Sequence, residues 1–452
     1  MRQKKQPRPT PGSLRMRKTL SMPALLQRVR AGFADIPDPR KKAKLNHPLP
    51  DVLMSALAMF SLKDPSLLAF DELRHDPTRL HNLRTLYGIE KPPCDTYMRS
   101  TLDPIDSDTL RPIFRTLHQE LQKQGVLESY RFMGKFLVSL DGTGYYSSSS
   151  IRCPECCQRQ HKNGQTEFYH QLLGAAIVHP DSPTVLPLFP EVITRQDGQN
   201  KNDCEYHAST RLIPALCQSF PRREMIVLQD ALACNGPHIQ RLIDAGLSFI
   251  ITCKPKPNSV LLKQVLDGLG DGQTQDVEYV NDKGRRYGYR FRNAVPLNAT
   301  HKALKVNYVE YWEEKPGGKT FLYACVSDLP VNAENVADIV RAGRARWKIE
   351  NETFNTLKNQ GYHLEHNFGH GRQHLSSVFA CLMMLAFLLD QIQQACCRYF
   401  QEARKEFGAK TRLWERIRAH FMLSHIHSWE SLYAAIIWKT DAAQRPAWHD
   451  SG

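Results

Sequence analysis

Apolar residues recur at helical spacing through the first part of the chain, with Leu49, Val52, Leu53, Ala56, Leu57 and Phe60 in one segment and Leu110, Ile113, Phe114 and Leu117 in another. That period predicts an α-helical region over 23–130. From Phe136 the pattern shortens to strand-like runs over 136–140, 168–178 and 184–193, the last weakened by Pro187 and Pro190. Three runs joined by short links predict an antiparallel meander. A helix over 203–220, a strand over 225–228, a helix over 237–244 closed by Gly246 and a strand over 247–253 then predict a parallel extension of the same sheet. Alternating runs and Gly/Asp turns over 254–331 read as a β-rich insertion. After it, Asn332 is placed to cap one long helix running to about Gln360, ended by Gly361. The remainder, 374–452, is again helical in period.

Three acidic residues break this pattern. Asp141 ends the first apolar run, Asp230 ends the run over 225–229, and Glu350 interrupts the stripe Val336, Val340, Gly343, Trp347, Phe354 and Leu357. The stripe places Glu350 on the inward helix face. An unpaired buried carboxylate costs several kcal/mol, so convergence of three implies basic partners or bound divalent metal. Each acid alone reads equally as a turn residue or a salt-bridge partner.

Charge narrows the choice of partner. Lys plus Arg number 60 against 46 Asp plus Glu, a net charge of +14, which favours a polyanion such as nucleic acid. The start, 1–22, carries seven basic residues without an apolar h-region and reads as a disordered basic tail rather than a secretory signal. The longest apolar run, Val378 to Leu389, falls short of a membrane span and reads as a core helix. Twelve scattered cysteines fit a reducing cytoplasm better than a disulfide framework.

The order of strands with acids on the first and fourth, and a third acid on a later helix, is that of an RNase H-like fold. The segments Val138-Ser139-Leu140-Asp141-Gly142-Thr143, Val227-Leu228-Gln229-Asp230-Ala231 and Arg346-Trp347-Lys348-Ile349-Glu350-Asn351 with Phe354, Leu357 and Lys358 resemble the DDE transposases of bacterial insertion sequences. Within that family the likeness is to the cut-and-paste group, whose catalytic domain is split by a β-rich insertion before the last Glu. It spans about 136–358. Gly343 stands where the group has Tyr, and Lys358 lies one residue beyond the usual Lys.

The resemblance implies a catalytic domain over 131–253 and 332–373, with Asp141, Asp230 and Glu350 as catalytic ligands of two Mg²⁺ ions, Mn²⁺ being able to substitute. Hard carboxylate oxygens suit such ions, which clamp the attacking and leaving oxygens of a phosphoryl transfer. It further implies cleavage at element ends, transfer of 3′-hydroxyls into target DNA, double-stranded DNA as partner, and a homodimer on paired ends. Arg346 and Lys358 would contact phosphate. A nuclease of the same fold, no longer mobile, and an inert zinc-containing DNA-binding regulator are the alternatives.

Two further clusters carry chemistry. Cys153 and Cys156 have C-x-x-C spacing, and with His161 they are the first candidates for a structural zinc, Cys157 and His170 competing for the fourth place; free thiols are the alternative. Along 283–292, strand parity puts Arg286, Arg290 and Arg292 on one face, suited to a DNA backbone, and Tyr287, Tyr289 and Phe291 on the other, suited to the core. Asp203 and Glu205 are reserve metal ligands, with first-turn capping as their ordinary role. The histidines at 363, 366, 370 and 374 read as surface or DNA-facing groups.

Overall fold

The computed structural model describes residues 9–11, 13–41, 45–195, 205–221, 224–254, 256, 259–316, 318 and 320–444. Residues 1–8 and 12 of the basic start, and Asp203, lie outside these residues. Of the expected tail, however, Leu14 and Leu20 are buried in the core, so the stretch from 13 onward belongs to the body.

Among the described residues, six α-helices come first: α1 (Met22–Ala34), α2 (Leu49–Leu62), α3 (Leu67–Asp71), α4 (Pro77–Tyr87), α5 (Asp95–Leu102) and α6 (Arg111–Lys123). Helix α2 is apolar on nearly every side and is buried accordingly. The strands follow: β1 (Arg131–Phe132), β2 (Lys135–Ser148), β3 (Cys157–Gln160), β4 (Thr166–Val178), β5 (Leu186–Pro187) and β6 (Glu191–Ile193). The third expected strand is thus two short pieces, because Pro187 and Pro190 remove backbone donors within it. Next come α7 (Glu205–Ser219), β7 (Met225–Gln229), α8 (Gly236–Asp244), β8 (Ser248–Thr252), α9 (Val260–Asp267), β9 (Gln275–Val280), β10 (Arg286–Pro296), β11 (Lys305–Glu314) and β12 (Thr320–Ser327).

All twelve strands form one mixed sheet, the path running β3-β4-β2-β7-β8-β12-β11-β10-β9, with β1 on β2 and both β5 and β6 on β4. Pairing is antiparallel between β2 and β4 and parallel between β2 and β7 and between β7 and β8, as the run pattern predicts. The segment over 254–331 does not form a sheet of its own: β12 pairs antiparallel with β8, Cys325 opposite Thr252.

Beyond the sheet lie α10 (Val336–Arg344), a π-helical turn (Ile349–Phe354), α11 (Asn355–Asn359), α12 (Leu375–Cys396), α13 (Arg398–Lys405), α14 (Lys410–Leu423) and α15 (Trp429–Trp438). The single long helix expected from Asn332 is therefore broken. Asn335 is its N-cap, while Asn332 Oδ1 accepts from the amides of Glu334 (2.9 Å) and Asn335 (3.0 Å). Between Gly343 and Ile349 the backbone bonds tighten to three-residue spacing before widening into the π-turn. This change of pitch turns the stripe: Ile349 is buried and Glu350 is exposed.

Helix α12, 22 residues long, is apolar enough by composition to cross a membrane, yet 94% of its most apolar window is buried inside the fold. Its Asp390 pairs with Lys63, the left-handed C-cap of α2, and also accepts from the Tyr362 hydroxyl. The Lys63 ammonium lies 4.4 Å from the Tyr362 ring centre and 4.0 Å from that of Trp414. Burial pushes the Lys63 pKa down and Asp390 opposes the shift, so one charge justifies the other. Breaking such a pair from one side costs about 3–5 kcal/mol, whereas apolar replacement of both groups costs far less. Asp390→Ala is accordingly expected to lose about 3–5 kcal/mol in urea unfolding, and the double substitution Lys63→Met with Asp390→Leu is expected to recover most of that loss; equal losses in both would contradict the pairing.

Candidate active site

Strand β2 continues through Asp141 instead of ending there, because its ladder with β4 extends from Leu137 opposite Val178 to Ser148 opposite Phe168. Its parallel ladder with β7 stops at Ser139 opposite Leu228. Two residues further on, that register brings Asp141 level with Asp230, which immediately follows β7. Past this point, among the described residues, β2 has no strand neighbour on the β7 side. A cavity of about 330 Å³ adjoins this edge, lined in part by Leu140, Glu205, Gln229, Asp230 and His238. Burial drives the His238 pKa down to about 4, so its ring is neutral at neutral pH.

Asp230 is oriented by its own turn, its Oδ1 accepting from the Leu232 amide at 2.9 Å. Asp141 accepts from the Gly142 amide at 2.9 Å and pairs with the Arg346 guanidinium at 3.2 Å. Arg346 is tied to the same strand a second time, since its carbonyl accepts from Ser139 Oγ at 3.0 Å. One turn beyond Arg346 comes Glu350, exposed on the π-turn. That turn is docked by Phe354, whose ring lies so close to Gly174 that a Cβ there would be 2.7 Å from it. Gly174 is the ladder partner of Asp141. A glycine opposite the first acid thus admits the element that carries the third.

The three acids share one electrostatic neighbourhood. The Asp141 pKa is raised, foremost by burial and further by the charges of Asp230 and Glu350, while Arg346 and the Gly142 amide lower it. Glu205, at the start of α7, brings a fourth carboxylate close, packed so tightly over Gly142 that a Cβ there would strike it. Gly343 leaves room for the Tyr323 side chain of β12, whose hydroxyl a Cβ at 343 would strike.

The remaining candidate residues are placed as follows. Lys358 pairs with Glu365 at 2.7 Å. The Arg face of β10 is already engaged with acids and backbone: Arg286 with Glu278 (2.6 Å), Arg290 with Asp276 (2.6 Å) and Glu310 (3.2 Å), and Arg292 with the Gln264 carbonyl and Gln273. Tyr287 and Tyr289 pack with Tyr279 and Tyr311.

The Cys/His cluster differs in membership from the one that spacing predicts. His161 turns away to pair with Glu167 at 2.9 Å, and Cys157 lies in β3, outside the group. Cys153, Cys156 and His170 meet His370 instead, their ligand atoms all within 4.8 Å of one another. Far from facing solvent or DNA, His370 is 5% exposed. Its only signal in the sequence is the pair of flanking glycines, Gly369 and Gly371, both at positive φ.

A carboxyl whose pKa is higher in the folded chain than in the unfolded one holds its proton more tightly when folded. Its contribution to stability is therefore lost as pH rises from the ordinary carboxylate range through the raised value. Asp141→Asn, which cannot ionise, is expected to unfold at a higher denaturant midpoint than wild type at neutral pH, the difference shrinking as pH falls below the ordinary carboxylate range; a midpoint lower than wild type at neutral pH would show that the Arg346 pair outweighs burial and repulsion. No protein-family model and no curated protein matches the chain.

Proposed function

We propose that this chain is a DDE transposase, which cleaves DNA at the ends of its own element and joins the freed 3′-hydroxyls to target DNA. The observation that carries the reading is the meeting of Asp141, Asp230 and the Glu350 turn at the open end of the β2–β7 pair. The strand order β5/β6-β4-β2-β7-β8, with its two antiparallel steps and two parallel steps, supports an RNase H-like core. The net charge of +14 supports double-stranded DNA as the partner, and two copies on paired ends follow from the same reading, as does a cytoplasmic site of action.

Asp141, Asp230 and Glu350 are the residues that would hold divalent metal, although among the described residues only the Cys/His cluster has its ligand atoms drawn within 4.8 Å of one another. The three acids offer hard oxygen donors, and a cation would offset the burial that chiefly raises the Asp141 pKa and, beside it, the charges of the two neighbouring acids. Bound Mg²⁺ would supply Lewis-acid stabilisation of the attacking and leaving oxygens. The chain itself supplies position. The Leu232 amide fixes Asp230, the Gly142 amide fixes Asp141, and Arg346, 3.2 Å from Asp141, is placed to exchange its carboxylate for a DNA phosphate.

The test is cleavage and strand transfer on DNA carrying the sequences that flank the reading frame, with Mg²⁺ or Mn²⁺ present. Loss of a group that merely orients a metal ligand costs about 10–100-fold, so loss of a ligand costs at least that. Asp141→Ala, Asp230→Ala and Glu350→Ala are each expected to cut at less than about a hundredth of the wild-type rate while still binding the DNA. Wild-type cleavage by any of the three would refute the assignment. Cleavage without strand transfer would favour the immobile nuclease.

A further inference from the structure

We propose that Cys153, Cys156, His170 and His370 hold one tetrahedral Zn²⁺ ion that staples the loop following the Glu350 turn to the β2–β4 hairpin. The spacing of the four ligand atoms carries the proposal. Zn–S bonds of about 2.3 Å and Zn–N bonds of about 2.0–2.1 Å in a tetrahedron require edges of about 3.8 Å between sulfurs, about 3.5 Å between sulfur and nitrogen, and about 3.3 Å between nitrogens. The structure has Cys153 Sγ and Cys156 Sγ 3.8 Å apart. His170 Nε2 lies 3.4 Å from each sulfur, and His370 Nε2 lies 3.2 Å from Cys156 Sγ and 3.2 Å from His170 Nε2. Five edges of the tetrahedron are thus met within a few tenths of an ångström.

A disulfide does not fit this geometry, since its sulfurs would stand about 2.05 Å apart. The two imidazole Nε2 atoms lie 3.2 Å apart and both lie against the Cys156 thiol, the mutual approach that ligands of one ion make. The surroundings are those of ligands held for a metal. Cys156 Sγ accepts from the Cys153 amide at 3.4 Å, which closes the C-x-x-C turn. His370 Nδ1 donates to the Gly371 carbonyl at 3.0 Å, which leaves Nε2 as the free lone pair. His170 is flanked by the rings of Tyr145 and Tyr146. Thiolates with imidazoles in a tetrahedron select zinc over magnesium or calcium.

The staple joins distant parts of the chain. His170 stands opposite Tyr146 on the same ladder that pairs Asp141 with Gly174. The loop bearing His370 is gripped from its other side by Asp103, at the end of α5, which accepts from the amides of Arg372 (3.0 Å), Gln373 (3.0 Å) and Leu375 (3.2 Å). Next to the ligands, His374 and Glu155 approach to 3.5 Å. One ion would therefore fix the sheet, the segment after Glu350 and the N-terminal helices against one another.

The test needs no DNA and is independent of the proposed activity. The full chain, purified reduced from zinc-supplemented cells, is expected to carry about one zinc per molecule by mass spectrometry. Cys156→Ser and His370→Ala are expected to lose it, while Cys157→Ser and His161→Ala keep it. Because loss of a ligand can prevent folding, His370→Cys provides the second arm: it is expected to retain zinc, and its cobalt-substituted form to show tetrahedral bands with added thiolate charge transfer relative to wild type. Substoichiometric metal after reconstitution of the reduced wild type, or full zinc in His370→Ala, would overturn the proposal.

Discussion

The parallel pairing of β2 with β7 is the constraint on which the rest depends. Parallel strands run out at the same edge of a sheet, so residues that follow them meet without any long reach. Here β2 outlasts β7, and the pairing leaves one side of Asp141 open beside Asp230. Everything else at this edge is fitted to that gap. Gly174 yields to Phe354, Gly142 yields to Glu205, and Ser139 anchors the backbone of Arg346.

Much of this was legible because it depends on period. The helical N-terminal region, the apolar strand runs and the alternation that yields parallel pairing all follow from local sequence. The fate of Glu350 was not. A stripe at steps of three and four assumes constant pitch, and between Gly343 and Phe354 the chain tightens and then widens, so Ile349 takes the buried place. Nothing in residue types announces a π-turn. The role of His370 was hidden for another reason: it lies 200 residues from His170, and only the path of the chain brings the two rings together. His161, close in sequence and correctly spaced, finds Glu167 instead.

Charge likewise depends on neighbours more than on count. The Arg residues of β10 look free in the sequence, yet antiparallel pairing with β9 and β11 sets Arg290 opposite Asp276 and Glu310. Arg346 differs because its partner, Asp141, is itself crowded by like charges. The guanidinium thus offsets part of the burial and repulsion that Asp141 meets at this edge.

The buried pair of Lys63 and Asp390 has a consequence in time. The two residues are separated by 327 positions. At a synthesis rate of roughly 5–20 residues per second, α2 waits roughly 15–65 s for the acid that neutralises its cap. Until then α2 has α1, α4 and α5 to pack against, but the face that α12 covers and the ammonium at its C-cap are both without their partners. Closure of the core around this cap therefore waits on residues made late in synthesis.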